Sequence, residues 1–405
     1  MKKKLFIIIL ITILLGAVIV INDYYHAIPV QRETVHEEID IYNQLIDTKE
    51  DSNNQDASIC ITGDNLIHES VYQWAKQLAE RNSQNNFDFR PIYADIEPIV
   101  SSADFSIVNQ SSLIAANKDE HFATGYPLFC SPSELGHDLL KIGFDGVNPV
   151  NNHMLDYGEI GLFRSLNFWE EQDATVFGHT LTDTDQLPYE NCIIVVNGIR
   201  IAVLSYTEHT NGILTSGNTE IPYYCYKQGS VLQQMLTEDV SSCAQISDFV
   251  IVLMNWGNSS GYEPSQKQIE AAQVMCDAGA DMIIGTGSKV LQPVVELHSE
   301  KHDGRTICFY SLGNLMGTMD YMDNLFGGLL FFKITKTQDD AYLSEVKFHP
   351  TVIYYDDNKE NVEVLRLENY SSRQNLKHGS NIKFGMTDIA WFDETLRKYI
   401  GNKYL

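Results

Sequence analysis

From Ser58 onward, apolar and polar positions follow two distinct periods. Short apolar or alternating runs occur near 58–62, 104–108, 145–150, 192–196, 199–204, 248–254, 281–284 and 306–311, and each reads as a strand. Helical periodicity near 69–81, 133–142, 159–171 and 265–278 separates several of them. Strands interleaved with helices predict a layered α/β domain. Between Cys192 and Leu204 the pair Asn197-Gly198 divides two apolar runs, and both residues tolerate positive φ, so this segment predicts a hairpin. The sheet is therefore expected to be mixed, and further strands near 327–335 and 342–348 suggest another antiparallel pair. A last helix is expected from Asp388 to Ile400, capped by Thr387 and ended by Gly401. Its apolar face, Ile389, Phe392, Leu396, Tyr399 and Ile400, serves either docking onto the domain or a partner.

The N-terminal part has a different pattern. Leu5 to Ile21 is almost wholly apolar, with Lys2, Lys3 and Lys4 before it and Asn22 and Asp23 after it. That asymmetry favours a single-pass anchor with a cytoplasmic N-terminus and the main domain outside the cell membrane; a cleaved signal peptide is the competing reading of so short a run. Residues 23–57 hold too few apolar side chains for a core and read as a polar stalk. The expected organisation is an anchor over 1–22, the stalk over 23–57, a main domain over 58–355 and a C-terminal extension with an amphipathic helix over 356–405.

Charge narrows the possible partners. The 405 residues include 28 basic and 54 acidic side chains, a formal charge of −26, which repels nucleic acid. An anionic polymer or phosphate meets the same repulsion unless a local cation reverses it. Seven cysteines, Cys60, Cys130, Cys192, Cys225, Cys243, Cys276 and Cys308, show no CxxC pairing and read as buried apolar residues rather than a disulfide framework or a sulfur-ligated metal.

The chemistry concentrates at strand ends. Asn152 and His153 follow the apolar run that ends at Val150, just before a helix, and Asp64 follows the run over 58–62 in the same setting. Such positions are where open α/β sheets hold ligands. Each residue also has a simpler structural use: Asp64 capping a helix, Asn152 and His153 satisfying a tight turn, Asp156 facing a helix N-terminus. His137, His179, His209, His298, His302 and His349 share no ligand spacing and are assigned no role. Ser111-Ser112 lacks a nucleophile elbow, and the glycines near 285–287 lack the lysine-serine ending of a phosphate loop.

Taken in order, Gly63-Asp64-Asn65-Leu66-Ile67-His68, Ala103-Asp104 through Asn109-Gln110, and Gly125-Tyr126-Pro127 with Ser131-Pro132 are followed by Asn151-Asn152-His153 with Asp156-Tyr157-Gly158. Trp256-Gly257, Gly285-Thr286 with Leu291-Gln292-Pro293, and Tyr310-Ser311-Leu312-Gly313-Asn314 complete the series. Over about residues 58–355 the chain resembles the CapA family of capsule synthesis, also called the poly-γ-glutamate biosynthesis family. That resemblance implies a calcineurin-like metallophosphatase fold, a mixed-sheet sandwich, with Asp64, Asn152 and His153 corresponding to the site and Asp156 to a supporting carboxylate.

The departures from the family pattern fall at ligand positions. Ser111 stands where the family usually has glutamate, Asn255 replaces the histidine of His-Trp-Gly, and Gly287, Ser288 and Lys289 replace His-Pro-His. A two-metal centre needs anionic and imidazole donors enough for two cations about 4 Å apart. Three retained side chains do not supply them, and no cofactor is expected. The alternative is one hard cation, magnesium, manganese or calcium, held by Asp64, Asn152 and Asn255 with His153 or His68. In the preferred reading the Lys289 ammonium takes the vacated cation position and pairs with Asp64.

The functional expectation is a membrane-anchored, extracytoplasmic component with a degenerate metal site, a pseudoenzyme candidate that makes, exports or binds an anionic cell-surface polymer within its synthesis or export complex. Ser111, Asn152, Asn255 and Lys289 are its expected binding residues. The alternative is a metal-dependent hydrolase or amide-bond enzyme acting on a polymer or phosphoester, with Asp64, His153 and Asp156 as candidate catalytic residues. A scaffold using only the terminal helix is a third reading.

Overall fold

The computed structural model describes residues 55–405 except 83–85, 117–122, 179–191, 216–229, 258–260, 300, 302–303 and 339. The expected anchor, the stalk over 23–54, Cys225, His179 and His302 lie outside the described residues. Among the described residues no helix is long and apolar enough to cross a membrane. Residues Asn54–Leu405 form one compact unit.

Two sheets carry that unit. One contains β1 (Gln55–Asn65), β2 (Phe105–Gln110), β5 (Gly146–Asn148), β6 (Thr175–Val176), β13 (Asn314–Met316), β14 (Phe326–Lys336), β15 (Ala341–Tyr354) and β16 (Glu363–Arg366). Its order is β16-β15-β14-β1-β2-β5-β6, with β13 also paired to β1. The other contains β7 (Ile193–Val196), β8 (Ile199–Thr207), β9 (Phe249–Asn255), β10 (Met282–Thr286), β11 (Leu291–His298) and β12 (Arg305–Leu312), in the order β11-β12-β10-β9-β8-β7. A short parallel pair, β3 (Leu113–Ala116) and β4 (Cys130–Pro132), lies apart. Both large sheets mix parallel and antiparallel pairs, as the hairpin signal requires.

The strand sequences explain the layering. Along β9, Phe249, Ile251 and Leu253 join one apolar cluster with Ile59 and Ile61 of β1, Ile107 of β2, Ile201 and Val203 of β8 and Met282 and Ile284 of β10. The alternate residues Val250, Val252 and Met254 join a second cluster with Leu236, Val240, Ala272 and Met275 of helices Ser230–Ile246 and Gln266–Ala278. Because successive side chains of a strand point to opposite faces, a run buried on both sides must be apolar throughout, as Phe249-Val-Ile-Val-Leu-Met254 is.

Punctuation residues behave as their chemistry dictates. Val196 pairs with Ile199 across a two-residue turn in which Asn197 and Gly198 have φ of 51° and 83°. Ser265 and Gln268 form a capping box at the start of helix Gln266–Ala278, and Gly279 ends it with φ of 104°. Helices Glu69–Arg81 and Ser133–Ile142 fall where periodicity put them.

The C-terminal segment differs from its expectation. The last helix spans Ala390–Tyr399, and Thr387 does not cap it. The Thr387 backbone is held elsewhere: its N–H donates to Asn381 Oδ1 at 2.9 Å, and its carbonyl accepts from Asn375 Nδ2 at 2.9 Å. Asp388 Oδ1 accepts from the Ala390 N–H instead, at 3.0 Å. Nor does the main body stop at residue 355. β16 adds an edge strand beside β15, Phe392 packs edge-on to Phe326 and Tyr370, and Tyr404 packs against Phe309. Phe392, Leu396, Tyr399 and Ile400 are all buried, so docking is the use this helix makes of its apolar face.

Candidate functional site

The strands change character at their C-terminal ends. Register places Asp64 opposite Asn109, and Asn109 opposite Asn148, in one sheet. In the other, Thr207 stands opposite Asn255, and Asn255 opposite Thr286. Six buried polar residues thus form one level across both sheets. Apolar strand bodies hold that level rigidly, and the polar ends must satisfy one another there.

They do so across the two sheets. Asn109 Nδ2 donates to Asp64 Oδ1 at 2.7 Å and to Thr286 Oγ1 at 3.2 Å, and Asn109 Oδ1 accepts from Asn148 Nδ2 at 2.8 Å. Asn148 Oδ1 accepts from Ser205 Oγ and from the Val150 N–H. Asn255 Oδ1 accepts from the Thr207 hydroxyl and the Asn152 N–H, both at 3.2 Å, while its Nδ2 donates to Thr286 Oγ1 at 3.4 Å.

Asp64 is the only carboxylate among the six, and both its oxygens are engaged. Oδ1 accepts from Asn109 Nδ2 and from the Ser111 hydroxyl at 2.8 Å. Oδ2 accepts from the Gly287 N–H at 3.0 Å and from Lys289 Nζ at 2.9 Å. The pair is buried: the Lys289 side chain is 9 % exposed and that of Asp64 is 0 % exposed. Lys289 reaches it from a left-handed backbone conformation, φ 64°, which an L side chain adopts at a cost. Its carbonyl is held by Asn314 Nδ2 at 3.2 Å and Asn324 Nδ2 at 3.1 Å, which hold that turn in place.

The other expected residues lie beside this level. His153 Nδ1 is 2.8 Å from Asp156 Oδ2, which also accepts from the Phe129 N–H at 2.7 Å. The Phe129 ring lies edge-on to both His153, at 4.8 Å, and His68, at 5.1 Å. Burial is the main cause that pushes the His68 pKa down to about 4; a Leu66 carbonyl contact opposes it, and the positive charges of Lys359 and Lys289 reinforce it. Asn152 Nδ2 donates to Asn211 Oδ1 at 3.1 Å. Asn152 Oδ1 and Asp156 Oδ1 are buried with no hydrogen-bond partner among the described residues. An open groove of about 610 Å³ runs past His68, bordered also by Trp74, Tyr126, Asp320, Tyr355 and Lys383.

The structure thus draws Asp64, Ser111, Asn152, Asn255 and Lys289 into one hydrogen-bonded neighbourhood. Ser111 and Asn255, expected to meet a ligand, spend polar atoms on Asp64, Thr207 and the Asn152 backbone. Sequence reasoning quoted Asn109 and Thr286 only as parts of the family series, gave them no place in the site, and passed over Thr207; their shared trait is a polar residue closing an apolar strand. His209, assigned no role from the sequence, lies beside this level with its pKa lowered by burial; the Glu208 charge opposes that shift. Gly287, which has no side chain to replace a histidine ligand, contributes its backbone N–H.

The donor set does not fit a bridged pair of metal ions. Each Asp64 oxygen already accepts two hydrogen bonds, and an ammonium at 2.9 Å repels any cation brought to the same carboxylate. Among the described residues no three His, Cys, Asp or Glu side chains group closely enough to hold a metal.

With this geometry in place, the comparisons with known proteins identify the class. The family model "Bacterial capsule synthesis protein PGA_cap" matches residues 58–319, and the chain belongs to that family. It is 29 % identical over 236 residues to the PGA biosynthesis protein CapA of Bacillus subtilis (strain 168), covering 56 % of each chain. It is 27 % identical over 238 residues to the capsule biosynthesis protein CapA of Bacillus anthracis, covering 57 % of this chain and 55 % of that one. The chain therefore spans about half the length of these relatives. A solved structure, the calcineurin-like phosphoesterase YfkN from Bacillus subtilis, aligns with a TM-score of 0.39 at 14 % identity, over 74 % of this chain and 91 % of that one.

Proposed function

We propose that this chain is a membrane-anchored, extracytoplasmic member of its family that serves the synthesis or export of poly-γ-glutamate or another anionic capsule polymer as a binding or accessory component. Residues 5–21 supply the anchor in this reading. One observation carries the accessory role: the buried Lys289–Asp64 ion pair sits at the level where a metal-dependent relative would need ligands. The pair balances the Asp64 charge without a metal ion. An ammonium has three N–H donors, and Asp64 takes one of them, so Lys289 retains donors for an acidic group of the polymer. Binding of poly-γ-glutamate to the purified full chain, measured by calorimetry with a metal chelator present, is expected to persist in the wild type and to weaken at least tenfold in Lys289→Met. Polymer or phosphoester cleavage that needs stoichiometric metal and disappears in Asp64→Ala would overturn this reading.

A second reading keeps one hard cation. It is favoured by Asp156 Oδ1 and Asn152 Oδ1, two buried oxygens without hydrogen-bond partners among the described residues, because magnesium, manganese and calcium take oxygen donors. Titration with Mn²⁺ followed by electron paramagnetic resonance tests it: saturable one-to-one binding lost in Asp156→Asn supports it, and no binding removes it.

A further inference from the structure

The sequence spacing of the seven cysteines pairs none of them, yet the fold brings two into contact. Cys192 immediately precedes β7, the edge strand of the six-stranded sheet, and Cys243 lies in helix Ser230–Ile246. Both belong to the apolar cluster between that helix and the sheet, with Ala202, Leu236 and Val240. Their Sγ atoms are 3.5 Å apart, and 51 positions separate them in the chain. We infer that Cys192 and Cys243 are a disulfide site, closed by a disulfide oxidant and fastening the β7–β8 hairpin to the helix that covers it.

A disulfide needs an S–S separation of about 2.0 Å, so from 3.5 Å the two sulfurs must approach by about 1.5 Å. The reaction begins at Cys192, 9 % exposed, because Cys243 is 0 % exposed. The contact with Cys192, then burial, holds the Cys243 thiol well above the usual range. Cys192 Sγ loses its proton to solvent, attacks one sulfur of the oxidant's disulfide and displaces the first thiolate. Cys243 Sγ, deprotonated in turn, attacks Cys192 Sγ and displaces the second. The two cysteines lose two electrons, the oxidant's disulfide becomes two thiols, and those thiols take up two protons. Tying the ends of a long loop removes more freedom from the unfolded chain than from the folded one, so the bond stabilises the fold. It also anchors the hairpin whose second strand ends at Thr207, the residue bonded to Asn255 at the site.

The test uses the full chain, reduced, equilibrated with oxidised glutathione, alkylated under denaturing conditions and digested with trypsin. Arg200 and Lys227 place Cys192, Cys225 and Cys243 in three different peptides, so each pairing is distinguishable. The expected result is a linked Cys192–Cys243 peptide, absent from Cys192→Ala and Cys243→Ala, and a wild-type Tm higher by several degrees when oxidised than when reduced. Full alkylation of both thiols after oxidation, or either one linked to Cys225, would overturn the inference.

Discussion

Lys289 and Asp64, 225 positions apart in the chain, meet at 2.9 Å in the buried polar level between the two sheets. Two energies oppose each other there. A left-handed conformation costs a residue with a Cβ about 1 kcal/mol, whereas removing one partner of a buried ion pair costs about 3 kcal/mol or more. The second wins, so Lys289→Ala is expected to lose about 3 kcal/mol of unfolding free energy. Lys289→Gly relaxes the backbone and should recover about 1 kcal/mol of that loss, since glycine adopts positive φ freely. Urea denaturation of the two variants checks the order; equal stabilities would mean that the turn at Lys289 stores no strain.

The terminal helix is part of the core. Phe392 is 1 % exposed and packs on Phe326, Tyr370 and Trp391. Phe392→Ala is expected to cost about 3–5 kcal/mol, the usual penalty for emptying a buried aromatic site. Deleting 387–405 should uncover Phe326 and Phe309 and lower the melting temperature of the whole unit. A truncated chain that melts like the wild type would instead point to a helix reserved for a partner.

His378 is expected to make stability depend on pH. Its Nε2 lies 2.9 Å from the Ile353 carbonyl and its Nδ1 accepts from the Ser380 N–H at 3.1 Å, so the neutral ring satisfies both neighbours. Protonation would set two donors face to face, and burial pushes the pKa down to about 4 from an ordinary 6.5. Because the folded-state pKa is the lower one, the stabilisation is complete above about pH 6.5 and fades as pH falls towards 4. Between pH 7.5 and pH 4.5 this group should account for about 2–3 kcal/mol of lost stability, at about 1.4 kcal/mol per pH unit. Denaturation of wild type and His378→Gln at both pH values isolates the term. The variant, weaker at pH 7.5, should have the shallower dependence.

Most of the longer strands and the helices Glu69–Arg81, Ser133–Ile142, Gly158–Glu171 and Gln266–Ala278 were legible because each carries a strong local signal. Thus β9 is apolar on both faces and Asn197-Gly198 forces a turn, whereas β11 and helix Ser230–Ile246 were not read at all. The last helix was displaced at its N-terminus because Asn375 and Asn381, distant side chains, hold the Thr387 backbone that would have formed a cap. At the site, Asp64 stood out as a retained member of the family pattern, and Ser111, Asn255 and Lys289 as departures from it. Asn109, Thr207 and Thr286 did not, because their importance lies in register between strands, a relation no single stretch of sequence contains.

The most direct test of a site built on an ion pair is the metal content of the purified full chain. After incubation with Zn²⁺, Mn²⁺ and Mg²⁺ and exhaustive dialysis, inductively coupled plasma mass spectrometry is expected to find well under one metal per chain, with Lys289→His retaining more. Two metals per wild-type chain, both lost in Asp64→Ala, would contradict it.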